Sequence, residues 1–385
     1  MQRICTRRNA VVPAALVSLW LSVVSAAPAR AVDGIFEISQ AAVVAAGGFP
    51  YVAAAPGSYV LTSNLVVPTG SDGIAIGAAN VTVDLNGFSI TSGGGLPASG
   101  VAAAGVGNVT VRNGTIEGFG GPGISVGIDA TVLEMRLIGN SGGIAGGFDC
   151  LIVENVVRAN GGGPGVAVDR CKIENNIVAD NGGVGIIGAS NVIVHNQISG
   201  NIGGGILSFD SSTIDRNVIA TNVGFGISDG TPFPPAPPPG PVPPPVGFFR
   251  QVITGNTINA TAAGAGIAVG FPAVIRENNV SSNFADGIIC GADCVISHNV
   301  VESNNLGLVG GGGVTTYAGS TVNDNTIGDN VGYGLALPVT AGYMHNTFNA
   351  NGPGGPDVLP FAPAHPTSGF FNLCSGLPGP APTCP

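Results

Sequence analysis

Glu277, His298, Asp324 and His345 each stand directly before an Asn and follow one another at intervals of one repeat, so acids and imidazoles alternate down a single column. If successive repeats stack as strands do, Glu277 and Asp324 lie ~9.6 Å apart, near the upper end of the separation that an inverting glycosidase leaves for its water. One carboxyl would serve as acid, the other as base, and His298 between them would tune their proton affinities. The plainer reading of the same column is that alternation keeps like charges from stacking on neighbouring rungs. Side chains of these types need solvent, so the column faces outward. Earlier repeats carry Glu134, Glu154, His195 and Arg216 at the same position, a second stretch of titratable groups.

A column of this kind requires stacked repeats, and the spacing of glycines supplies them. A series of twelve glycines from Gly73 to Gly334, with Gly307 among them, each preceding Ile, Val or Leu, recurs usually 20 to 23 residues apart. A period of this size marks a solenoid whose units bury their apolar sides only against each other. Within each unit an apolar residue is followed three residues later by Asn, giving Asn155, Asn176, Asn196, Asn217, Asn256, Asn278, Asn299, Asn325 and Asn346. A second Asn column runs from Asn160 through Asn181, Asn201 and Asn222 to Asn351. Short β-branched runs punctuated by Gly and Asn are strand and turn chemistry. The expected architecture is all-β: a single-stranded right-handed parallel β-helix of about twelve coils over residues 58–351. The stacked Asn residues are expected at its corners, where they bond to the next rung and tolerate a left-handed backbone.

The ends and the one break in register read differently. Ile35 to Ala46 fits a short amphipathic helix within an N-terminal cap over 32–57, covering the first rung. Residues 231–247 are dominated by Pro, cannot pair within a sheet and read as a loop ejected from the stack. Residues 352–385, rich in Pro and Gly, read as a covering tail.

Arg3, Arg7 and Arg8 precede an apolar run, and Ala29-Arg30-Ala31 offers small residues for cleavage, so residues 1–31 read as a secretory signal. Its removal takes four arginines and no acid, leaving 8 basic against 22 acidic residues and a formal charge of −14. Such a surface repels polyanions, which excludes nucleic acid as a partner and opposes polyuronates unless calcium bridges the charges. No cofactor is otherwise expected, and no membrane span remains once the leader is gone. Six cysteines follow the leader, and proximity pairs them as Cys150 with Cys171, Cys290 with Cys294, and Cys374 with Cys384. Cys150 and Cys171 hold the same place in adjacent coils, within reach of a bond across the stack.

Ser58-Tyr59-Val60-Leu61-Thr62-Ser63-Asn64-Leu65 and Asn80-Val81-Thr82-Val83-Asp84-Leu85-Asn86-Gly87-Phe88, with the ladders behind them, resemble the first coils of secreted bacterial right-handed parallel β-helix proteins of the pectin-lyase-like superfamily. The resemblance covers about residues 33 to 351. It implies the fold and an exported setting, secreted or periplasmic, while the superfamily spans lyases, hydrolases, epimerases, phage tailspikes and accessory proteins. Its enzyme signatures do not help: the Asn-Thr-Asp, Gly-His-Gly and Arg-Ile-Lys segments of polygalacturonases and the Asp-Pro-His segment of alginate epimerases are absent. The expected function is therefore a non-catalytic envelope or surface protein binding a polysaccharide or surface component along its elongated face. A polysaccharide hydrolase or lyase working at Glu277, His298 and Asp324 is the alternative.

Overall fold

The computed structural model describes residues 34–231, 250–270, 272–307, 311–337, 340–352, 357–360, 367–368 and 373–375. The chain winds into an all-β parallel solenoid, with one sheet of fourteen strands and a second, two-faced sheet of twenty-seven among the described residues. A representative coil shows the plan. Strands Val184–Gly188, Val192–Val194 and Gln197–Ser199 make its three sides, and each pairs in parallel with its counterpart one coil later. Ile186, Ile193 and Ile198 point inward and are fully buried or nearly so. Alternation along each strand places the neighbours of these residues outside, which is why three or four residues suffice for a side.

Each side ends in one residue with a left-handed backbone: Ser190 at φ 56°, His195 at φ 56° and Gly200 at φ 66°. The ladder Asn follows that residue and does not itself take the conformation, contrary to the expectation from sequence. The reason lies in the direction of the side chain. The left-handed residue turns the chain and throws its own side chain outward, so the next residue points into the corner, where an amide can bond along the stack. Asn196 shows the result: its Nδ2 donates to Ile173 O (2.9 Å) and to Asn217 Oδ1 (3.0 Å), while its Oδ1 accepts the Asn176 backbone N–H (2.9 Å). Every polar atom of a buried amide is thereby occupied.

A third corner carries the same device in mixed chemistry. Cys150, Cys171, Asn191 and Ser212 stack there, with the Cys171 N–H bonded to Asn191 Oδ1 (2.8 Å) and the Asn191 N–H to Ser212 Oγ (3.0 Å). Cys150 and Cys171 form the expected disulfide across the stack, Cα atoms 4.5 Å apart. Cys290 and Cys294 are bonded around the same corner of a later coil. The Cys374–Cys384 pairing lies outside the described residues.

Strand pairing extends past both expected limits. Ile35–Ile38 is a strand parallel to Gly57–Leu61, not the start of a helix. The helix is confined to Gln40–Ala45, begun by Ser39, whose Oγ accepts the Ala42 N–H. At the far end Val358–Pro360 adds a strand to the fourteen-stranded sheet. These additions bring the stack to about fourteen turns where the glycine count predicts twelve. Gln40 protects the first rung beside the helix: its side-chain amide accepts the Val66 N–H (2.8 Å) and donates to Val66 O (3.4 Å), taking the place of a missing strand.

Around the Pro-rich insertion, Val218–Ala220 pairs with Thr257–Asn259, so the sheet continues in register from one side of the insertion to the other. Asp229 anchors the exit, accepting the N–H groups of Thr231 (2.9 Å) and Gly270 (2.6 Å). One further register differs from the sequence reading. Ile288 pairs with Val314, so the glycine in step with Gly287 is Gly313 and not Gly307. The coil is lengthened, and Gly307 instead packs beneath the Phe284 ring.

Candidate functional site

The expected column exists and runs along one corner. Glu134, Glu154, His195, Arg216, Glu277, His298, Asp324 and His345 are all left-handed residues, with φ between 51° and 58°. Asn175 and Gly255 complete the row with the same backbone. The register places Glu277, His298, Asp324 and His345 on successive rungs, as their spacing implies. All four side chains are exposed on the convex side of the turn. His345 Nδ1 stands 3.6 Å from Asp324 Oδ1, with roughly half of each side chain in solvent. Acid–base pairs rely on burial or close charges to set their two groups apart. Here the corner turns its titratable groups out into water, and a positive-φ residue at each position explains why they are there.

A second group of polar side chains was not singled out by sequence, and it is buried. Asp286 precedes the strand Ile288–Cys290 and is in step with Gly312 and then Tyr333 on the next two rungs. Its Oδ1 accepts the Gly312 N–H (2.9 Å), and its Oδ2 accepts the Thr315 hydroxyl. Thr315 Oγ1 lies 2.8 Å from the Tyr333 hydroxyl. Asp286 and Thr315 are almost wholly buried, and Tyr333 is half-buried. A Cβ at Gly311 would collide with the Asp286 carboxylate, and one at Gly312 with Tyr333, so these glycines clear the space in which the group assembles.

Burial pushes the Asp286 carboxyl above the usual carboxylate range, against the opposing pull of its bonds to Thr315 and Gly312 and of the nearby Tyr333 hydroxyl. Burial likewise raises the Tyr333 phenol, with the Asp286 charge adding to it, and raises Tyr317 for the same two reasons. The available signal in the sequence was the Gly310–Gly313 string, which breaks the period and follows an acid placed immediately before a register glycine.

Among the described residues no three His, Cys, Asp or Glu side chains come together as a metal site, and no helix is long and apolar enough to cross a membrane. Of the exposed ion pairs, Arg112 with Asp84 and Arg170 with Asp149 join residues of adjacent rungs. The Asp149 carboxyl is held below its usual range by the hydrogen bond from Arg170, and the same guanidinium covers the Phe148 ring at 5.0 Å.

No curated protein matches the chain. Among solved structures, the A-module of the Azotobacter vinelandii mannuronan C-5 epimerase AlgE6 is 14% identical, covering 87% of this chain and 94% of that one, at a TM-score of 0.49. The periplasmic alginate epimerase AlgG is 12% identical over 89% of this chain and 83% of its own, at 0.45. The receptor-binding tailspike protein of bacteriophage Det7 is 10% identical over 87% and 78%, at 0.44. Likeness of this degree says nothing about chemistry. A family model described as right handed beta helix region matches residues 51–187, 99–232 and 247–352. Most of the chain falls within those matches, and the three-cornered coils agree with them: the chain belongs to the right-handed β-helix family.

Proposed function

We propose that this is an exported, non-catalytic β-helix that holds an uncharged polysaccharide, or another surface component of repeating structure, along its elongated face. The observation that carries the reading is the outward column of the fourteen-stranded sheet. Ala102, Ser125, Ala145, Ala167, Ile187 and Leu207 follow one another there, rung by rung, with no charge among them. A strip of uncharged side chains repeated every ~4.8 Å offers a linear polymer a similar contact at each step. At one edge of the strip Phe148 and Phe209 are 45% and 48% exposed, presenting apolar ring surface beside it. The formal charge of −10 favours a neutral ligand over a polyanion. The two disulfides support an oxidising compartment, secreted or periplasmic.

The test is passage of the mature protein over immobilised neutral and acidic polysaccharides, with and without calcium, while reducing ends and unsaturated products are followed in solution. Retention on a neutral glycan without product is the expected result, weakened when Phe148 and Phe209 are both changed to Ala. Product from any glycan would sink the non-catalytic reading. The rival reading, a hydrolase or lyase, draws on the two-rung spacing of Glu277 and Asp324 and on the approach of His345 to Asp324. It requires product release that disappears in Glu277→Gln.

A further inference from the structure

We infer that Asp286, Thr315 and Tyr333 form a proton relay that makes the Tyr333 oxygen an acid–base atom for an uncharged, hydroxyl-bearing ligand. The inference does not rest on the glycan reading and concerns a different part of the surface from the exposed corner column. Its basis is the order of the three groups. The carboxyl is buried, the threonine hydroxyl is buried against it, and the phenol beyond the threonine is the only member that is partly exposed. Thr315 has a single hydroxyl proton. When it donates to Asp286, its oxygen must accept from Tyr333, so the chain reads Tyr333 to Thr315 to Asp286. With a protonated Asp286 the same three oxygens can bond in the reverse order without moving.

In the proton-accepting direction a ligand O–H gives its proton to the Tyr333 oxygen. The phenol proton passes to Thr315 Oγ1, the Thr315 proton passes to Asp286 Oδ2, and the negative charge moves from the carboxylate to the ligand oxygen. No tyrosinate forms, which matters because burial and the neighbouring Asp286 charge disfavour one. Burial also makes the Asp286 carboxylate a better proton acceptor than an exposed one. The titratable groups facing Asp286 are Tyr333 and Tyr317, both phenols whose own ionisation burial holds back. An anionic ligand would meet a buried carboxylate at the end of the chain, so the ligand class is uncharged.

The relay is read by O-acetylation of tyrosines with N-acetylimidazole, followed by peptide mass mapping. In that reaction the phenol oxygen attacks the acetyl carbon, the phenol proton passes through Thr315 to Asp286, and the departing imidazole anion takes its proton from water. Tyr51 is the internal reference, a partly buried phenol raised by burial and by Tyr59. Tyr333 is expected to react about tenfold or more faster than Tyr51 below the ordinary phenol range, with a rate that climbs as Asp286 loses its proton. Asp286→Asn and Thr315→Val should each remove the advantage, and Thr315→Ser, which keeps the hydroxyl, should restore it. Tyr333 reacting no faster than Tyr51 in the unmutated protein would overturn the relay whatever the variants do. An advantage that survives Asp286→Asn would overturn it equally.

Discussion

The coils from Cys150 to Asn222 and the lengthened coil from Gly287 to Gly313 share one plan and treat buried polarity in opposite ways. In the regular stretch the buried amides of the two Asn ladders bond to their own copies one rung away, as Asn176, Asn196 and Asn217 do, so polar groups cancel along the stack and carry no charge. In the lengthened coil the copy is missing. Asp286 has a glycine on the next rung, and its carboxyl is satisfied by a backbone N–H, a threonine and, beyond it, a tyrosine. Translational repetition removes the need for ionisable groups inside, and a break in repetition is where one can be kept.

The contrast breaks most sharply at the ladder. Asn196→Ala removes the side chain that joins Asn176 and Asn217 and leaves Ile173 O without its side-chain donor. The expected loss is ~3 kcal/mol of stability, measured as a shift in the urea midpoint. A loss below ~1 kcal/mol would mean that the ladder follows the fold and does not hold it.

Asp286 should respond to pH where the ladder does not. Its carboxyl is raised in the folded protein, so its stabilising contribution is fully present below the unfolded carboxylate range and is lost as pH rises through the raised value. Unfolding midpoints across acid to neutral pH should therefore fall less steeply in Asp286→Asn than in the unmutated protein. Coincident profiles would show that the carboxyl is not the group being titrated. The smallest effect belongs to the exposed corner. Glu277→Gln and His298→Ala touch side chains standing in water and should each change stability by less than ~0.5 kcal/mol, with retention on a bound glycan unchanged. A large effect at either position would move the functional centre to that corner.

Legibility followed repetition. The Gly-apolar pairs and the Asn columns disclosed the solenoid, its parallel strands and the column of Glu277, His298, Asp324 and His345, because each is a pattern of period about one coil. Cys150 and Cys171 were legible for the same reason. The rest of the third corner was not, since Cys171, Asn191 and Ser212 follow one another there under three different letters. The left-handed residues were assigned one position late, because Asn tolerates that backbone and no letter in the pattern marks the residue before it. Gly307 drew the register six residues off Gly313, a choice between glycines that depends on which one lets Val314 reach the interior.

By itself the sequence determined that this chain stacks into a right-handed β-helix, with Asn columns at its corners, a column of titratable groups facing outward and Cys150 one rung from Cys171. Those properties depend on period and on residue type alone. Only the tertiary structure decided that Asp286, Thr315 and Tyr333 meet, because they sit on three consecutive rungs of which the first two are joined by a lengthened coil, and contact between them depends on where that coil rejoins the stack.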